Sequence, residues 1–138
     1  MNTTYSLPDE KKLAAIRKRH GLLLMLLHGS QLGMMTHEQS DVDVAVLRDP
    51  RKPPFRYLFL YDDLIEAFGS DRVDLADLTH ADPLLLYAVT KNCRLLSGDP
   101  AHIASLQKKA FHRYSDYLPY LTAEKQFIRG RIGSYVTP

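Results

Sequence analysis

What the sequence has little of narrows the field first. Among 138 residues there is one cysteine, Cys93, so no internal disulfide can form and a reducing compartment is the natural setting. The longest apolar run, Leu22 to Leu27, falls well short of the ~20 residues a membrane-spanning helix needs. The opening Met-Asn-Thr-Thr-Tyr carries neither the basic nor the apolar region of a secretory signal. A soluble, cytoplasmic protein with no membrane partner is the expectation. Charge of one sign is also scarce. Eighteen Lys and Arg against sixteen Asp and Glu leave a formal charge of +2, too small to argue for membrane binding, and direct nucleic-acid binding is not expected. Six histidines are present without HExxH or CxxC spacing, and His37-Glu38 stands alone, so structural or surface roles are expected for them. A P-loop glycine-lysine signature and a serine in a nucleophile elbow are both missing, which removes P-loop and serine-hydrolase chemistry. Cys93 itself reads as a small hydrophobe.

What is there is an ordinary globular composition, 45% hydrophobic and 25% charged. The length suits one domain, residues 1–138, with a helical C-terminal part at about 99–131. Ser6-Leu7-Pro8-Asp9 has the residues of a helix start, with Ser6 as cap and proline in the first turn. A basic helix then runs through Lys11 to about His20, carries Leu13 and Ile16 inward and stops at Gly21. Lys11, Lys12, Arg17, Lys18 and Arg19 are either a solvated face or a patch for nucleotide phosphates or RNA. Leu22 to Leu27 has strand length and no polar break, as for a strand covered on both faces. Val42 to Leu47 alternates, with Val42, Val44 and Val46 on one side and Asp41, Asp43 and Ala45 on the other.

Beyond a proline-rich loop, Leu58, Tyr61, Ile65 and Phe68 recur at helical spacing up to Gly69-Ser70. Arg72 to Leu78 is a third strand. Asp82-Pro83 opens a helix to about Lys91, Arg94 to Gly98 is a short strand, and Asp99-Pro100 opens a long helix. Pro119 is expected to kink or end it, leaving a last helical stretch near Thr122 to Arg129. The expected fold class is α/β (α+β), a small mixed sheet flanked by helices with a helical C-terminal segment.

Asp41 and Asp43, two apart at a strand start, point the same way and can share Mg²⁺, which favours a few carboxylates together with phosphate oxygens and water. Gly29 lets backbone approach phosphates, and Ser30 offers a hydroxyl and an N–H. Asp74, set mid-strand between Val73 and Leu75, would be costly to bury unpaired. Facing the same cations from a neighbouring strand it would be satisfied, and it could accept a proton from an acceptor hydroxyl. Asp77, on the other face of that strand, is its competitor. Each of these signals is weak alone; strand, Gly-Ser, loop, Asp-x-Asp strand and a later aspartate together describe a site for a metal-bound nucleoside triphosphate. Tyr114, Tyr117 and Tyr120 recur beside Phe111, Leu118 and Leu121, as a core stripe or as a protein-binding face.

Leu27-His28-Gly29-Ser30 followed by Ser40-Asp41-Val42-Asp43-Val44-Ala45-Val46 resembles the signature of the polymerase-β-like nucleotidyltransferase superfamily. More narrowly, the chain resembles minimal nucleotidyltransferases of the MntA type, antitoxins of type VII systems paired with HepT toxins, which are HEPN-domain ribonucleases. Arg72 to Leu78, Ala88-Val89-Thr90 to Gly98 and the late helix through Glu124-Lys125-Gln126 extend the likeness over nearly the whole chain. The resemblance implies a Mg²⁺-ATP-dependent protein adenylyltransferase that moves AMP from ATP to a tyrosine of the toxin and silences it. By position it implies that Gly29 and Ser30 hold the triphosphate and that Asp41, Asp43 and Asp74 bind Mg²⁺, with Asp74 as base and a hetero-oligomer with the toxin. The chain departs from the family where a second glycine is usual, with Met34 at that position and Gly33 one residue earlier. A nucleotidyltransferase-fold module that blocks its toxin sterically and a small-molecule nucleotidyltransferase of the aminoglycoside type are the alternatives.

Overall fold

The computed structural model describes residues 7–29 and 42–136, with side chains described as far as Arg131. Helix α1 (Glu10–Arg19) begins three residues later than Ser6 would set it. Asp9 is the cap, its carboxylate accepting from the Lys12 amide at 2.7 Å, while Ser6 lies outside the described residues. Leu13 and Ile16 face inward as expected.

Strands β1 (Leu22–His28) and β2 (Val42–Arg48) pair antiparallel, with Leu22 opposite Arg48 and His28 opposite Asp43. Helix α2 (Tyr57–Phe68) leads through a left-handed Gly69 into β3 (Val73–Asp77), which lies parallel to β2. A short 3-10 turn (Leu78–His80) and α3 (Pro83–Lys91) follow, then β4 (Cys93–Gly98), antiparallel to β1. The sheet order is β3-β2-β1-β4, a mixed sheet with the two hydrophobic strands inside. The expected order of elements is borne out, and so is the fold class.

Both faces of the central pair are dry. Leu24, Met25, Leu26 and Leu27 are fully buried. Met25 and Leu27 join Val42, Val44 and Val46 under α1 and α2, whereas Leu24, Leu26 and Ala45 pack beneath α3 and α4. Helix α1 is tied to the edge strand by Arg17, whose Nε donates to Ser97 Oγ at 2.9 Å. The Asp82 cap of α3 is as read, accepting from the Leu85 amide at 2.8 Å.

Two expectations are corrected here. In α2 the buried positions are Leu60, Leu64 and Phe68, while Leu58 is 70% exposed. The helix is apolar around most of its first two turns, so periodicity alone does not select the face that the sheet covers. Helix α4 (Pro100–Val136) runs through Pro119 as one element of 37 residues, about 55 Å long. It absorbs the separate stretch expected at Thr122 to Arg129. Proline removes one N–H from the ladder, and here it does so where both Pro119 and Ser115, four residues earlier, are exposed and water can serve the freed carbonyl.

Candidate active site

The strand register brings four side chains into one row across the sheet. Asp74 of β3 lies opposite Asp43 of β2, Asp43 opposite His28 of β1, and His28 opposite Cys93 of β4. Adjacent strands are about 4.8 Å apart, so each member of the row is a direct neighbour of the next. All four share the face that carries Leu24, Leu26 and Ala45, which is the alternation expected for Asp43 and Ala45.

Gly29 follows at the end of β1 with φ +90, a conformation that strongly favours glycine. Its backbone passes so close to Asp43 that a side-chain Cβ there would run into the Asp43 carboxylate. Gly29 thus lies directly over the second aspartate of Asp-x-Asp. Ser30 and Asp41 lie outside the described residues, as do Gly33, Met34 and His37-Glu38.

Asp74 differs from the expectation in one respect. It is exposed, because β3 is an edge strand and its Asp74 face is not covered at that point. Asp74 carries no burial cost; register, not burial, brings it to Asp43. Asp77, the competing carboxylate, serves the fold instead, capping the 3-10 turn by accepting from the Thr79 amide at 2.9 Å.

His28 is a residue that sequence reasoning missed. It ends the apolar run on the same face as Leu24 and Leu26, a signal that alternation along β1 could have supplied. Burial pushes its imidazole below the ordinary 6.5, against the opposing pull of the Asp43 and Asp74 carboxylates. Cys93, half-buried beside it, has its thiol pushed up by burial, which keeps it an unreactive small hydrophobe.

Asp43 and Asp74 suit a hard divalent cation. Carboxylates directly opposite on neighbouring strands repel, and Mg²⁺ prefers such oxygen donors, used one or two at a time. Among the described residues no three potential ligands converge on one point. The third carboxylate expected from the sequence, Asp41, is outside them.

Farther along, Tyr114 stacks on Tyr87 of α3 with ring centroids 4.0 Å apart, while Tyr120 is 73% exposed. The tyrosine series divides accordingly: its first member is a packing residue and its last stands in solvent.

Comparison with known proteins agrees with this geometry. The family profile described as Polymerase beta, Nucleotidyltransferase matches residues 11–100. No curated protein sequence matches. Among solved structures, a chain of a toxin–antitoxin complex with AMP-PNP is 28% identical, with a TM-score of 0.68 over 90% of this chain and 98% of that one. A chain of the tri-AMPylated Shewanella oneidensis HEPN toxin in complex with MNT antitoxin is 27% identical, with a TM-score of 0.62 over 89% and 94%. A chain of the MntA–HepT toxin–antitoxin complex is also 27% identical, with a TM-score of 0.62 over 89% and 95%. These matches bear out the resemblance to MntA-type proteins. With the profile spanning well over half its length, the chain belongs to the polymerase-β nucleotidyltransferase family.

Proposed function

We propose that this protein is the antitoxin of a toxin–antitoxin pair and acts as a protein adenylyltransferase. It transfers AMP from Mg²⁺-ATP to a tyrosine of a HEPN-type RNase toxin and so neutralises it. The observation that carries the reading is the in-register pair Asp43 and Asp74 beside the Gly29 turn.

In this reading Asp41, Asp43 and Asp74 hold Mg²⁺, and Gly29 and Ser30 receive the triphosphate. Mg²⁺ held by these carboxylates would supply positive charge to offset that of the phosphates and of the departing pyrophosphate. The acceptor tyrosine oxygen forms a bond to the α-phosphorus as the bond to the bridging oxygen of the β-phosphate breaks. The proton of that hydroxyl passes to Asp74, whose exposure on the edge strand leaves it reachable by a protein acceptor. Gly29 lets the main chain approach without displacing Asp43. Burial makes His28 less ready to take up a proton, which limits any positive charge that would compete for the carboxylates.

A partner of protein size is supported by α4. Leu106 and Ala110 are buried on the body, and the same stripe continues at three- and four-residue steps through Tyr114, Tyr117 and Leu121, with Ile128 two turns farther on. Phe111, Leu118, Phe127 and Ile128 are 58%, 41%, 63% and 48% exposed, a concentration of apolar surface typical of a binding face. Of the solved complexes that this chain resembles, one holds a tri-AMPylated HEPN toxin with its MNT antitoxin, and another is a toxin–antitoxin complex with AMP-PNP.

The test is to incubate the protein with ATP, Mg²⁺ and a co-purifying HEPN toxin and to weigh the intact toxin. Addition of one or more AMP masses, mapped to tyrosine, is expected. A toxin of unchanged mass in a stable complex would remove the enzymatic reading.

A further inference from the structure

A cavity of about 620 Å³ opens far from the carboxylate row, between the end of α1, the loop after β2 and the first turns of α2. Asp43 and Arg48 stand at opposite ends of β2, about 17 Å apart at 3.4 Å per residue. The cavity lies at the Arg48 end, where Gly21 precedes β1, and on the α1–α2 face rather than the α3–α4 face. Asp43 is not among the residues that line it.

Its lining is basic and aromatic. Lys18 and Arg19 come from α1, Lys52 from the loop and Arg56 from the cap position of α2. Four cations from three segments thus meet in a chain whose total formal charge is only +2. Two carboxylates, Asp62 and Asp63, also line it. Asp63 is already engaged, by Arg19 at 3.1 Å and by His20 Nε2 at 2.6 Å. Phe59 is 57% exposed, and the Arg56 guanidinium lies 5.6 Å from its ring centroid. The first turn of α2 has no side-chain cap bond, which leaves the positive end of that helix beside the same opening.

The walls are fixed in advance. The Asp49 amide donates to the Gly21 carbonyl at 2.9 Å, joining the loop to the turn after α1. The Asp49 carboxylate in turn accepts from the Arg51 amide and Nε at 2.9 and 3.1 Å. Preorganised walls lower the ordering cost of binding, and the volume falls in the range of small-molecule sites.

We propose that this cavity is a second ligand site that takes a nucleoside phosphate, its phosphate among Lys18, Lys52 and Arg56 and its base against Phe59. Paired cations and an exposed ring are what that ligand needs: charge for the phosphate, a π-face for the base. The same chemistry is offered by a free nucleotide and by a nucleotide within single-stranded RNA. The inference stands whether or not the chain transfers AMP.

The test measures binding of two probes, AMP and a fluorescent six-nucleotide oligoribonucleotide, to the full chain in EDTA. Four proteins are compared: the unchanged chain, Asp43→Asn, Lys18→Gln combined with Lys52→Gln, and Phe59→Ala. At least one probe should bind the unchanged chain and Asp43→Asn equally. The double lysine variant should weaken it about tenfold or more. Phe59→Ala should weaken it roughly fivefold to a hundredfold, the worth of one base–aromatic stack. Preference for the oligoribonucleotide, with affinity falling steeply as salt rises, identifies RNA as the source; binding of AMP alone identifies a free nucleotide. Amide chemical shifts of the unchanged chain give a readout independent of variant folding, and should move at Lys52 and residues 55–59 and not at 28–29 and 43–44. Failure of both probes to bind, or binding abolished by Asp43→Asn and untouched by the cavity variants, overturns the proposal.

Discussion

Replacing Gly29 by alanine separates two costs that the structure predicts at that position. The first is conformational. With φ at +90, an L-residue is strained by about 1–2 kcal/mol. The second is steric, because the new Cβ would run into the Asp43 carboxylate and sit 3.2 Å from its Cγ; forcing an extra methyl into such a contact costs about 1–3 kcal/mol. Gly69 supplies the control. It ends α2 with φ +65, and a Cβ there would meet nothing within 4 Å, so Gly69→Ala carries only the conformational cost. Urea unfolding followed by circular dichroism, with slopes unchanged, should place Gly29→Ala below Gly69→Ala by about 1–3 kcal/mol. Toxin adenylylation should fall about 100-fold in Gly29→Ala alone, since ångström-scale displacement of a positioning group costs that much. Equal stability losses in the two variants, or full activity in Gly29→Ala, would refute the contact between the turn and the carboxylate.

His28 ties stability to pH. Its folded imidazole binds a proton less readily than the ordinary 6.5, so the unfolded chain takes up protons first as pH falls through that value. Its contribution is complete above 6.5 and lost as pH drops through the lower folded value. His28→Gln should flatten this part of the pH–stability curve, measured by denaturant midpoints; an unchanged slope would assign the effect to another group. Pro119→Ala restores one amide to α4 and removes a residue disfavoured by about 3 kcal/mol in a helix interior. Because this part of α4 is exposed, the gain should appear as slower hydrogen exchange around residues 115–123, with little change in the global unfolding midpoint. Unchanged exchange there would contradict a helix that runs through Pro119 with its backbone open to water.

Much of the fold can be read from the chain because its strongest signals are local. Leu22 to Leu27 needs cover on both faces and receives it, and Asp82 and Asp99 precede prolines where helices begin; both then accept from amides of the turn they open. The readings that changed depend on neighbours that sequence does not contain. Asp74 looked buried because it sits between Val73 and Leu75; the order β3-β2-β1-β4 puts its strand at an edge, where the same alternation turns it toward solvent. The apolar residues of α2 surround its axis, and only the sheet beneath chooses Leu60 and Leu64 over Leu58. His28 acquires meaning through the registers β1–β2 and β2–β3, which set it beside Asp43 and bring Asp74 within electrostatic reach. The whole-chain charge, close to balance, concealed the local gathering of Lys18, Arg19, Lys52 and Arg56.

The central claim is that neutralisation of the toxin is chemical and depends on the carboxylate row. The most direct measurement pairs intact-mass analysis of the toxin with its RNase activity, using the unchanged chain and Asp43→Asn at equal occupancy of the complex. Asp43→Asn should bind the toxin, add no AMP and leave the RNase active. Full protection by Asp43→Asn, with an unmodified toxin, would contradict it and would make this chain a steric inhibitor built on a nucleotidyltransferase fold.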